Sequence, residues 1–133
     1  MESSKRVKLQ GRAIFTGKAR GTALVSPNAI GFLGGVDPQT GVVIEPGHPL
    51  HGECVAGRIL VFPTGKGSTV GSYTLYRMVR AGVAPAGMIN ARSEAIVAVG
   101  AIISEIPMVD QIDLERIHPG DVVEIEGNVV WIG

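Results

Sequence analysis

Residues 58–82 read RILVFPTGKGSTVGSYTLYRMVRAG, and the fold turns on how that stretch divides. Arg58–Phe62 is a continuous apolar run, which predicts a central strand buried on both faces. From Ser72 onward the period changes. Leu75 and Val79 fall four apart, as do Ser72, Tyr76 and Arg80, and Gly82 follows as a stop signal. That spacing predicts an amphipathic helix of about three turns. Between strand and helix lies TGKGSTVGS, residues 64–72, with three glycines, two serines, two threonines and a lysine. A strand, a glycine loop and a helix in succession mark an α/β element.

The flanking sequence is richer in strands. Val7 to Val25 carries short apolar stretches around Gly17 and Gly21, which predict two or three strands. In FLGGVDPQTGVV, residues 32–43, Gly34-Gly35 and Asp37-Pro38 are turn signals, and Gly41 closes a loop before an expected strand at Val42–Ile44. PGHPLHG, residues 46–52, is another loop. AGMIN, residues 86–90, reads as a strand. Residues 93–110, SEAIVAVGAIISEIPMVD, fit two patterns: Ser93 can cap a helix starting near Glu94, yet Ile and Val equally suit strands, and Pro107 opens a short strand. The end, DVVEIEGNVVWIG, places two alternating runs about Gly127-Asn128, a pair suited to a two-residue hairpin turn. Glu124 and Glu126 alternate with Val123 and Ile125, so one face of that hairpin is expected to be wet.

The chain has 133 residues, which suits one domain over 1–133 with a single core. Hydrophobic residues make up 45% and charged residues 18%, a globular balance. Nineteen glycines, eight prolines and only six aromatics, without a repeat, suit a β-rich chain of many tight turns. Twelve acids match twelve bases, so net charge favours neither nucleic acid nor a membrane surface. No apolar run reaches the roughly 18 residues of a spanning helix, and MESSKRVK lacks the apolar core of a signal peptide. A soluble cytoplasmic protein is expected. One cysteine, Cys54, and three scattered histidines make a poor metal site.

The glycine loop admits three readings. A phosphate-binding P-loop fails twice, because Gly67 follows Gly65-Lys66 and Leu60 stands five before Gly65. The dinucleotide fingerprint fails too, since the third glycine, Gly71, comes one residue late. A second reading makes Ser68 or Thr69 a helix cap, by far the commoner role for such a residue. A third is chemical. Where a strand hands over to a helix, free N–H groups and the positive helix end face one spot. A serine held there has its alkoxide stabilised and can take a proton from carbon. The Gly-x-Ser-x-Gly elbow of a hydrolase is absent, because Val70 follows Ser68 by two. The residues alone leave an anion-friendly serine loop.

GRAIFTGKARGTALVS, FLGGVDPQTGVV, FPTGKGSTVGSYTLYRM, GAIISEIPMVD and HPGDVVEIEG, in order from about Gly11 to Gly127, resemble the small subunits of archaeal phosphomevalonate dehydratases. Those subunits belong to the aconitase-X branch of the aconitase superfamily. GGVDPxTG and GKGSTVGS are the specific pieces. The resemblance implies a swivelling β/β/α domain that works as a heterodimer with a larger subunit. The implied reaction is loss of water from (R)-5-phosphomevalonate to give trans-anhydromevalonate 5-phosphate. It further implies an iron–sulfur cluster on the large subunit, none on this chain, and a serine proton acceptor that the motif maps to Ser68. Ser72, four residues on, is the rival. Related aconitase-X dehydratases acting on another hydroxy acid, such as a hydroxyproline, are the alternative within the family. A non-catalytic swivelling binding domain is the alternative outside it.

The remaining candidates divide less sharply. Lys66 is either a cation for the substrate's phosphate or carboxylate, or an exposed loop lysine. Asp37 is expected to serve its turn and Cys54 to be a small core thiol. His48 and His51 either line the subunit interface or sit in a solvated loop, the latter being expected. His118 is expected in a turn. Arg77 and Arg80 either contact the large subunit or lie on a solvated polar face of the helix, the latter being expected.

Overall fold

The computed structural model describes residues 6–67 and 70–133. These form eight strands, two α-helices and a turn of 3-10 helix at Leu114–Arg116. In chain order they run β1 (Val7–Gln10), β2 (Arg12–Phe15), β3 (Lys18–Val25), β4 (Ile59–Phe62) and α1 (Gly71–Ala81). There follow β5 (Gly87–Asn90), α2 (Ala95–Ser104), β6 (Met108–Asp110), β7 (Val122–Glu126) and β8 (Val129–Ile132). All strands join one mixed sheet in the order β1-β8-β7-β3-β4-β5-β6-β2. Strands β3 to β6 are parallel, and β7, β8, β1 and β2 add antiparallel.

The two edge strands of that order, β1 and β2, are separated in the chain by Gly11 alone. The sheet must therefore curl until its ends meet, which makes a nearly closed barrel. Gly11 is the corner. A Cβ there would stand 2.2 Å from the carbonyl oxygen of Asp110, so only glycine fits. Its N–H donates to the carbonyl of Asn128 at 2.9 Å. Beside it, Arg12 donates to both carboxylate oxygens of Asp110, at 3.0 and 2.8 Å, and fastens β2 to β6.

Alternation along the strands builds two cores. In β4, Ile59 and Val61 point into the barrel with Ile89, Val109, Val123 and Ile125. Leu60 and Phe62 point the other way, toward Leu75, Met78, Val97 and Ala101 of the helices. All four β4 side chains are fully buried, as the apolar run predicts. Each stabilises the fold by about 1.5–3 kcal/mol relative to exposure. Both helices are crossovers between parallel strands and lie on the same face.

Residues 93–104 resolve as a helix start and a helix, with the cap one residue later than Ser93. The Glu94 carboxylate accepts from the N–H groups of Ile96 and Val97. The α1 stripe is also shifted. Ser72, Thr74, Leu75 and Met78 are buried, while Val79 is 37% exposed, because packing on α2 draws in the residues N-terminal to the Leu75–Val79 row. Gly82 ends α1 in the left-handed region as expected. Val42–Ile44 is not a strand: single bridges Val36–Val43 and Val42–Cys54 replace a ladder. Turns on both sides, closed by the Gly41 N–H on the carbonyl of Asp37 and the His48 N–H on that of Glu45, confine the extended run to 42–44. The final hairpin has Glu126 opposite Val129 across Gly127-Asn128, with Val123 and Ile125 buried and Glu126 exposed.

Candidate functional site

Three loop segments leave the carboxyl ends of parallel strands and meet: 26–35 after β3, 63–67 after β4, and 91–94 after β5. Crevices at these ends are where open parallel sheets place ligands. The glycine loop is held on both sides. Ile30 donates to the carbonyl of Thr64 at 3.2 Å, and Lys66 donates to that of Ile30 at 3.0 Å. On the far side Arg92 donates to the carbonyl of Pro63 at 3.1 Å. Asn90 ties the bases of two loops together, its Nδ2 donating to the carbonyl of Phe62 at 2.9 Å.

The glycines allow contact too close for side chains. A Cβ at Gly65 would lie 2.3 Å from Val97 Cγ2 on α2, and one at Gly31 would lie 2.9 Å from the carbonyl oxygen of Lys66. Gly67 has φ +102°, which favours glycine.

Two helices start at this junction with different ends. Glu94 covers the first N–H groups of α2 with its own carboxylate. At α1 the N-cap residue is Val70, whose side chain has no acceptor, and the first turn carries no acid. The positive end of α1 is thus left without an acidic side chain from its own first turn.

Ser68 and Thr69, the expected proton acceptor and its capping neighbour, lie outside the described residues. Ser72 is in the first turn of α1, 8% exposed, and lines a hollow of about 180 Å³ with Ala95, Ile96 and Val99. Lys66 is half exposed, and its Nζ pairs with Glu45 Oε2 at 2.9 Å. Asp37 serves its turn, accepting from the N–H of Gln39 at 2.9 Å. Arg77 and Arg80 are exposed on α1, and His118 is exposed in a turn.

Two expectations are corrected. His48 is not solvated: it is 7% exposed, its Nδ1 accepts from the N–H of Leu50 at 3.0 Å, and its Nε2 meets the carbonyl of Ala29 at 3.2 Å. The ring is a strut between the 45–50 turn and the 26–35 loop, with the proton on Nε2. Cys54 is not a core thiol. It is exposed on an isolated bridge, its Sγ donating to the carbonyl of Thr40, while Val55 takes the buried position. One exposed cysteine does not fit an iron–sulfur cluster, which needs several thiolates together.

Sequence reasoning missed Glu45, Glu94, Asn90 and the Arg12–Asp110 pair. Only Glu94, set just before an apolar helical run, carried a readable signal. Burial pushes the Asp110 carboxyl up, but hydrogen bonds from Arg12 and Ser93 outweigh it and hold it below its ordinary 3.8. The bond from the Ser93 N–H fixes the turn that leads into α2.

A curled sheet with a parallel centre, two crossover helices on one face and a glycine loop at a strand-to-helix handover define a swivelling β/β/α domain. The chain belongs to the aconitase X swivel domain family, whose model matches residues 8–132. It is 57% identical over 124 residues to the phosphomevalonate dehydratase small subunit of Methanocella arvoryzae, covering 91% of this chain and 94% of that one. It is 53% identical over 122 residues to the phosphomevalonate dehydratase small subunit of Thermococcus sibiricus, covering 92% and 94%. The crystal structure of holo-form aconitase X from Thermococcus kodakaraensis superposes with a TM-score of 0.93 at 47% identity, covering 96% of this chain and 98% of that one. The swivel fold expected from the resemblance is therefore the fold observed.

Proposed function

We propose that this chain, as one swivel domain, is the small subunit of a cytoplasmic heterodimeric hydro-lyase. Its substrate is (R)-5-phosphomevalonate and its product trans-anhydromevalonate 5-phosphate, in the archaeal mevalonate route to isoprenoids. The observation that carries this reading is the 57% identity over nearly the whole length of a chain named phosphomevalonate dehydratase small subunit. An iron–sulfur cluster would be the large subunit's contribution.

The reaction breaks a C–H bond α to the carboxylate, uses that electron pair for the new double bond and releases hydroxide from the β carbon as water. Such a proton is weakly acidic, so a strong base in a dry pocket is required. Ser68 supplies it, two residues before the N-cap of α1. The α1 end and the glycine-loop amides favour the alkoxide there. Lys66 binds a phosphate or carboxylate oxygen of the substrate, which takes the place of Glu45.

The test is anaerobic reconstitution with the large subunit, following dehydration of 5-phosphomevalonate. The complex is active and neither chain alone is. Ser68→Ala cuts kcat by about 10²-fold or more while the complex still assembles. Lys66→Met raises KM more than it lowers kcat. Full activity in Ser68→Ala removes the base assignment, and a complex inert toward this substrate removes the reading of the reaction.

A further inference from the structure

α2, AIVAVGAIIS, contains no charged residue, although a helix on one face of a sheet keeps an outward side. Its buried side is Val97, Gly100, Ala101 and Ser104. Its outward side is Val99, Ile102 and Ile103, at 49%, 47% and 43% exposed. A helix apolar all round is normally covered on both sides. The bias extends across the helical layer. Of the ten large apolar side chains exposed among the described residues, six stand on α1 and α2: Tyr73, Tyr76, Val79, Val99, Ile102 and Ile103. The outer barrel face has the opposite character. Lys8, Lys18, Arg20 and Glu126 are exposed there, with Val122 as its exposed large apolar residue.

The apolar ridge is continuous with the glycine loop. The hollow of about 180 Å³ at the start of α1 is bounded by Ile96 and Val99, on the first turns of α2. A Cβ at Gly71 would lie 3.7 Å from Ile96 Cγ2. From that hollow the ridge runs down α2 for about 15 Å, the length of ten helical residues.

We infer that the outward face of α2 is the surface on which the large subunit seats, with an apolar side chain of the partner in the hollow beside Ser72. The inference rests on the reading of this chain as one subunit of a two-chain enzyme. That reading requires a partner to cover the glycine loop, and the ridge is an extended apolar surface adjoining that loop, with exposed Leu33 and Val70 beside it. A second copy of this chain would bring only another glycine loop to the same place, and no reacting group to complete it.

The test measures association of the purified small subunit with its large subunit, anaerobically, by titration calorimetry. Far-UV circular dichroism and Tm are recorded for every variant. Ile102→Glu and Val99→Glu, each placing a charge on the ridge, weaken association by about 30-fold or more, as at the centre of an interface. Val122→Glu on the barrel face leaves it within threefold. Parent-like affinity in both folded α2 variants overturns the inference. Equal loss in Val122→Glu also overturns it, as does a ridge that mediates only self-association of the small subunit. Because the readout is association, a complex that forms but does not dehydrate 5-phosphomevalonate counts against the reaction alone.

Discussion

Gly65→Ala tests the contact between the glycine loop and α2. The new Cβ would lie 2.3 Å from Val97 Cγ2, 3.1 Å from Val97 Cβ and 3.0 Å from Glu94 Oε1. Val97 is β-branched on a helix and holds essentially one rotamer, so it cannot swing aside. Either the loop lifts or the first turn of α2 moves. Overpacking of this kind costs about 1–3 kcal/mol, and disturbing the Glu94 cap adds about 1 kcal/mol. The expected loss is about 2–4 kcal/mol, or about 10 °C in Tm for a domain of this size. Urea unfolding followed by Trp131 fluorescence measures it. The decisive form is a double-mutant cycle with Val97→Ala, which alone costs about 2 kcal/mol as a core truncation. Removing the γ-carbons makes room for the methyl, so the double variant is less destabilised than the sum by about 1–2 kcal/mol. Additivity within about 0.5 kcal/mol would refute the claim that Val97 is what excludes a side chain at position 65. In the reconstituted complex the same single variant lowers turnover by up to about 10²-fold, because the displaced loop carries Ser68.

The other two predictions concern the closure of the barrel. Gly11→Ala meets a backbone carbonyl, that of Asp110, which no rotamer change can remove. It destabilises by more than about 3 kcal/mol, with early loss of amide protection in β1 and β2; a parent-like Tm would count against the corner. Arg12→Ala removes the bonds and charge that hold the Asp110 carboxyl low and leaves burial opposed only by the Ser93 bonds, so its pKa rises from the parent's depressed value. In the parent this pair contributes stability present above pH 3.8 and lost as pH falls through the depressed folded pKa. The variant lacks the arginine's share of that contribution. The Tm gap between parent and Arg12→Ala therefore narrows as pH falls from 7 toward 3, and a gap independent of pH would mean that Asp110 is not the group the arginine stabilises.

The strands and the first helix were legible because each is a local pattern. The apolar run at Arg58–Phe62, the alternation at 122–126 and the stop at Gly82 all describe contacts their own residues dictate. What was not legible depends on the far side of the sheet. Nothing near Gly11 announces that β1 and β2 close a barrel, because the obstacle is the carbonyl of Asp110, distant in sequence. His48 reads as a loop residue until Ala29 and Leu50 supply its partners. Helix against strand at 95–104 stayed undecided because Ile and Val serve both. Packing on α1 decides it: Gly100 lets the two helices meet, since a Cβ there would lie 2.7 Å from Leu75 Cδ1 and 3.2 Å from Ser72 Cα.

On the proposed reading, the glycine loop after β4, and not the turn after β5, carries the chemistry. Both are strand-to-helix handovers in the parallel centre of one mixed sheet, joined by the bond from the Arg92 N–H to the carbonyl of Pro63 at 3.1 Å. Any helix start offers N–H groups and positive potential, so by itself neither is special. The difference lies in what each helix spends that potential on. α2 satisfies its end with Glu94, whose two oxygens take the N–H groups of Ile96 and Val97. A second anion there would meet a carboxylate. α1 begins with a valine and a glycine and brings no acid. On the proposed reading, that positive end favours the Ser68 alkoxide or a substrate oxygen. The tight glycines fit the same division. A Cβ at Gly65 would push against the capped helix. On the proposed reading, the capped helix is the wall beside the glycine loop, and its uncharged outer ridge is the surface offered to the partner.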